Sequence, residues 1–292
     1  MFLSSMSTIS TALLAHAVFA VPAPQAAKSP TSPIDTLHDR AATTDGSKSS
    51  YATIPANCPS PPLQCYQCDS EFPPSTAYTS WECMAARNRV DMVAGTGNSM
   101  NGPEEADAVL NAIAVTADAA GIPRQLVLGM VIQESNGYVR AGFGDNGASH
   151  GLMQVQRTSS GNPASCYGTA VNMCPYTTIL EMIQDGVFGH VGSTDPQAPG
   201  IAHWLSAEGR NTARAIRGYN TGSIIDSNDL ANIVATDKKN GKKYFAGTQS
   251  YVSDVANRMT GARGNSSHVP TCNLITNPNN YVADTSCSAG TG

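Results

Sequence analysis

The sequence predicts a mainly α fold. Residues 103–120 set Ala106, Val109, Leu110, Ile113, Ala114 and Ala117 on one helical stripe. The apolar run Leu126-Val127-Leu128-Gly129-Met130-Val131-Ile132 follows, with so few polar positions that it reads as a buried central helix. Only short runs look like strands, and neither βαβ alternation nor an internal repeat is visible.

Taken in order, residues 1–20 read as a secretory signal. Ala12-Leu13-Leu14-Ala15-His16-Ala17-Val18-Phe19 forms the apolar core, and Val18-x-Ala20 offers small residues for cleavage. The segment before that core lacks Lys and Arg, and His16 interrupts the core. Residues 21–50 are rich in Pro, Ala, Ser and Thr and hold almost no large apolar side chain, so they read as a disordered leader or propeptide. Residues 51–102 form a cysteine-rich extension with Tyr51, Tyr66, Phe72, Tyr78 and Trp81. Two readings stand for it: a small carbohydrate-binding module using aromatic faces, and a stapled extension packed on the main domain. So short a stretch rarely holds a core of its own, which favours the second.

A helix starts at Pro103, where proline suits the first helical position and Glu104 and Glu105 favour the dipole; Gly121 ends it. The next starts near Pro123 and runs to Glu134. Further helical pieces are expected at 179–188, 201–205, 211–217 and 251–259. Lys238, Lys239, Lys242 and Lys243 read as a solvated loop rather than a patch for an anionic polymer. Asn265-Ser266-Ser267 is a glycosylation sequon in a eukaryotic host.

Composition narrows the function. The chain has 292 residues, net charge −5 and only 13% charged residues, against about 25% in an ordinary globular domain. That excludes a global attraction to nucleic acid or to anionic cell walls. No HExxH, phosphate loop or basic stripe is present, so no metal, organic cofactor or nucleic-acid partner is expected. Beyond the signal no run approaches a membrane span. The eight cysteines suit an oxidising compartment. Bridges are expected at Cys166–Cys174 and Cys272–Cys287, with two more among Cys58, Cys65, Cys68 and Cys83. A redox or zinc role for the early four fits a secreted chain less well.

The chemistry gathers in residues 134–156. Glu134 follows the apolar run, and a carboxyl at the edge of such a run is partly desolvated, which raises its pKa and lets it donate a proton near neutrality. Pattern alone reads it as a surface glutamate at a helix end. Asp145 in Gly144-Asp145-Asn146-Gly147 is good turn chemistry in its own right.

Glu134-Ser135, Gly142-x-Gly144-Asp145-x-Gly147, Gly151-Leu152-Met153-Gln154-Val155, Tyr219-Asn220-Thr221-Gly222 and Tyr251-Val252-Ser253-Asp254-Val255 occur in that order. Over residues 103–262 this set resembles the goose-type lysozymes and, more loosely, the SLT-type lytic transglycosylases. The resemblance implies a lysozyme-like fold and cleavage of the β-1,4 bond between amino sugars. Glu134 falls on the catalytic acid of both relatives. Asp145 matches the aspartate that helps position water in goose-type lysozymes, where an inverting hydrolase holds its carboxyls roughly 6.5–9.5 Å apart. Ser135, Gln154, Tyr219, Asn220 and Tyr251 fall on sugar-contacting or acid-neighbouring positions. One departure matters: where goose-type lysozymes carry a further aspartate, this chain has Gln156, which cannot act as a base.

The expectation is a secreted, monomeric muramidase acting on peptidoglycan, its catalytic domain at 103–262 followed by a disulfide-pinned tail at 263–292. A lytic transglycosylase releasing 1,6-anhydro products, a hydrolase of chitin or chito-oligosaccharides, and an inactive secreted sugar-binding protein are the alternatives. Gly147-Ala148-Ser149-His150-Gly151 also matches the nucleophile elbow of α/β-hydrolases, with Asp226 or Asp254 and His268 downstream, but lacks the apolar strand an elbow needs before it.

Overall fold

In the computed structural model seven α-helices are found among the described residues: α1 Trp81–Val93, α2 Pro103–Ala120, α3 Arg124–Ser135, α4 Tyr176–Phe188, α5 Ile201–Ala207, α6 Thr212–Thr221 and α7 Tyr251–Thr260. Those residues are 51–95, 100–159, 161–190, 198–223, 230–231, 234–262, 274 and 277–280. The chain divides into two units at Thr43, and all of them belong to the second. The expected signal and leader, the sequon, Asp226, His268 and the Cys272–Cys287 bridge lie outside them. The protein is mainly helical, and no described helix is long and apolar enough to cross a membrane.

The two central helices form for the reasons their sequences give. Pro103 opens α2, the Glu105 carboxylate accepts the Gly102 N–H at 3.0 Å, and Gly121 closes it in the left-handed region at φ 64°. Ala106, Val109, Leu110, Ile113 and Ala117 are fully buried, chiefly against α4 and also against α1 and α3. From Leu126 to Ile132 every α3 side chain is buried, as an apolar run without a polar face requires. Asn136, at φ 54°, ends α3. Gly129 lets α7 approach closely: a Cβ there would stand 3.3 Å from Val255 Cγ1. This seating brings the first residue of α7 to the last turn of α3.

Helix α1 was not expected. Trp81, Met84, Ala85 and Met92 are buried, but Arg87 and Arg89 interrupt the stripe, and Ser80 caps the start by accepting the Cys83 N–H. The stretch before it runs along α7, through Gln64 with Asn257, Tyr66 with Ser253, and Thr79 with the Met259 carbonyl. Its aromatics are not displayed. Trp81 and Tyr66 are buried, and the Trp81 indole donates to Tyr51 at 2.7 Å.

Strands are short. β1 Ser149–His150 pairs antiparallel with β2 Val155–Gln156, and Gly151-Leu152-Met153-Gln154 makes the turn between them. β3 Val234–Thr236 pairs with β4 Lys243–Phe245, and the four lysines sit exposed at or near its turn. Cys58–Cys83 and Cys166–Cys174 are bridged. Cys65 and Cys68 are also disulfide-bonded. Among the described residues the early group therefore shows one internal bridge, where two were expected.

Candidate active site

Glu134 stands in the last turn of α3, and its carboxylate accepts a hydrogen bond from the Tyr251 hydroxyl at the start of α7. Tyr219, on α6, reaches the same place: its hydroxyl donates to the Met153 carbonyl at 2.8 Å, and its ring packs against the core. Among the described residues no cation pairs with Glu134. Burial pushes its carboxyl up to about 7; the Tyr251 hydroxyl opposes this and the negative charge of Asp145 adds to it. Burial likewise raises Tyr219 and Tyr251 well above 10, and the nearby Glu134 charge reinforces the shift. Both phenols therefore remain neutral donors.

Asp145 is exposed on the loop that enters β1, close enough for its charge to be felt at Glu134. The loop is built to hold it. Asp145 and Asn146 are both left-handed, at φ 49° and 56°, which these two residue types tolerate better than most. The Ser149 hydroxyl donates to Asp145 at 2.6 Å. The Gln154 amide donates to the Gly142 carbonyl at 3.1 Å and the Gly151 carbonyl at 3.0 Å, closing the loop onto the hairpin turn. A Cβ at Gly144 would stand 2.5 Å from Gln154 Oε1, so a side chain there would displace the Gln154 amide from these bonds.

The expected site residues thus divide. Glu134, Tyr251 and Tyr219 converge, with Asp145 facing them electrostatically. Ser135 does not present its hydroxyl as a sugar contact: it is buried and holds the Leu152 carbonyl at 2.8 Å, tying the hairpin turn to α3. Gln154 spends its amide nitrogen on the loop. Asn220 gives its side-chain oxygen to Arg217 and to the Thr248 N–H, both at 2.9 Å, and so positions the approach to α7. Gln156 is exposed on β2.

Two contributors were missed. Ser149, four residues after Asp145, was read only as an elbow serine; here it is buried on a two-residue antiparallel strand and bonds Asp145. The elbow's strand–turn–helix context is absent there, and His150 Nε2 lies 3.3 Å from the Gly147 carbonyl. Arg217 is fully buried and gathers the carbonyls of Leu230, Ala231, Thr248 and Gln249. Nothing in the local pattern marked it, because its partners are distant in sequence.

Beside the site a groove of about 910 Å³ opens between α1, the end of α3 and α7. Arg87, Asp91, Gln133, Asn136 and Arg258 line it, and Glu134 does not. Among the described residues no group of three or more His, Cys, Asp or Glu is placed to hold a metal ion. Comparison with protein-family models, curated proteins and solved structures finds no match for the chain.

Proposed function

We propose that the protein is a secreted glycoside hydrolase of lysozyme-like fold that cleaves the β-1,4 bond between N-acetylmuramic acid and N-acetylglucosamine in peptidoglycan. The observation that carries this reading is Glu134: a carboxyl raised to about 7 by burial, bonded to a neutral tyrosine and within electrostatic reach of an exposed second carboxylate. Such an acid is protonated below neutrality and can give its proton to the glycosidic oxygen as the bond to C1 breaks. Asp145 is suited to the complementary part. It takes a proton from a water molecule as that water attacks C1, and the inverted hemiacetal is released. The ordered motifs around Glu134, Asp145, Gln154, Tyr219 and Tyr251 support the substrate class by their resemblance to goose-type lysozymes.

A second reading rests on Gln156, which leaves Asp145 without a further carboxylate beside it on β2. A lytic transglycosylase needs only the acid, because the sugar's own 6-hydroxyl closes onto C1. Mass spectrometry of soluble products from purified peptidoglycan separates the two. Hydrolysis gives reducing muropeptides; transglycosylation gives products lighter by one water. Absence of products from peptidoglycan, with release from chito-oligosaccharides, moves the substrate to chitin. Absence of both leaves a sugar-binding protein.

A further inference from the structure

We propose that Phe143 and Tyr167 form a stacking platform for one N-acetylhexosamine ring of the glycan, on the Asp145 side of the site. The inference rests on the glycan reading above and adds a binding position to it.

Phe143 lies two residues before Asp145 and is 45% exposed; Tyr167 is 53% exposed. Their rings are 4.5 Å apart and tilted by 45°. His150, only 8% exposed, packs 4.3 Å from Phe143 on the other partner contact. Three rings from two segments, residues 143–150 and Tyr167, thus meet at one patch, two of them open to water. Two large aromatics exposed at one patch leave apolar ring area to water, and the carbon–hydrogen face of a pyranose can cover such area.

The backbone beneath the platform is tied down on both sides. Gln154 ties the Gly142 carbonyl, next to Phe143, to the hairpin turn. Tyr167 follows Cys166, whose sulfur is buried and bridged to Cys174, and its N–H is held by Ser165 Oγ at 3.1 Å. Rings held in place before binding lose little conformational freedom when a ligand arrives. The same loop exposes Asp145 and Asn146, polar groups at the patch's edge where hydroxyl and acetamido groups need partners. Phe143 and Asp145 share one loop, so the occupant we assign to the patch is a further unit of the chain being cut.

The test is calorimetric binding of the β-1,4-linked N-acetylglucosamine hexamer to the full chain carrying Glu134→Gln, so that no turnover intervenes. Adding Phe143→Ala and Tyr167→Ala should weaken affinity about tenfold or more, as loss of anchoring aromatics does. Phe143→Tyr with Tyr167→Phe keeps both rings and should retain affinity. Unchanged affinity in the alanine pair overturns the platform, and so does an equal loss in the ring-retaining pair. No hexamer binding by Glu134→Gln itself also overturns it. Turnover that survives Glu134→Gln defeats the hydrolase reading instead, and leaves any ring-dependent binding standing.

Discussion

Two glutamates show how surroundings decide chemistry at the scale of a residue. Glu105 and Glu134 both sit on helices of the core. Burial raises the pKa of each, but Arg140 grips Glu105 with two bonds of 2.7 Å, and backbone N–H groups of Gly102, Cys174 and Asn172 add to it. Glu105 therefore falls to about 2, while Glu134, with no cation paired to it among the described residues, rises to about 7. The raised value has a sign. Stability linked to neutral Glu134 is complete below its ordinary 4.5 and is lost as pH climbs through about 7, at a cost of up to about 3 kcal/mol. Glu134→Gln should therefore melt higher than wild type at pH 8, with the gap closing near pH 4.5; calorimetry at both pH values checks this. The neighbours give opposite shifts. Tyr251→Phe removes the bond that favours the carboxylate, so the alkaline limb of kcat/KM should move up. Asp145→Asn removes the charge that disfavours it, so the limb should move down in whatever activity remains. Glu134, Asp145 and Tyr251 were singled out by the resemblance of the ordered motifs that hold them, since pattern alone reads Glu134 as a surface glutamate and Asp145 as a turn residue. The sequence could not disclose that Ser135 is buried or that Ser149 bonds Asp145, since both depend on the way the hairpin folds back onto α3.

Helices transmit their packing to the site. Gly218 on α6 meets the Trp204 ring of α5, and a Cβ there would stand 2.5 Å from Trp204 Cε3. Gly218→Ala should cost about 1–3 kcal/mol through overpacking and shift the adjacent Tyr219, seen as a lower Tm together with a fall in kcat. Arg217 binds the residues around 230 and 248 to α6, just before α7 brings in Tyr251. Arg217→Met removes the guanidinium's bonds to the carbonyls of Leu230, Ala231, Thr248 and Gln249 and should destabilise the fold by about 3 kcal/mol or more in denaturant titration. The helices with a clean stripe or a proline start, α2 and α3, were legible in the sequence. So was most of α6, which was expected at 211–217 and extends through Tyr219 and Asn220 to Thr221. Helix α1 was not legible: its buried face depends on Tyr51 and on α2 and α3, and arginines break its period.

Across the molecule, distant segments are pinned around one buried axis, α3. Arg140 and Glu105 join the chain after α3 to the start of α2, and the Cys174 N–H completes the knot at 3.2 Å. The Glu105 contribution is present above pH 4.5 and is lost as pH falls through about 2, so acid unfolding should begin in that window and shift upward in Glu105→Gln. Disulfides hold the loops that flank the site, Cys166–Cys174 beneath Tyr167 and Cys58–Cys83 beneath α1. Helix dominance followed from periodicity, and the Cys166–Cys174 pair from the closeness of its two cysteines in the sequence. The central claim remains that Glu134 supplies the proton. The rate of reducing-end release from purified peptidoglycan at pH 6, wild type beside Glu134→Gln, tests it most directly. A fall of at least about a hundredfold, with the variant's thermal transition intact, is the predicted result. Equal rates in the two proteins would contradict the assignment.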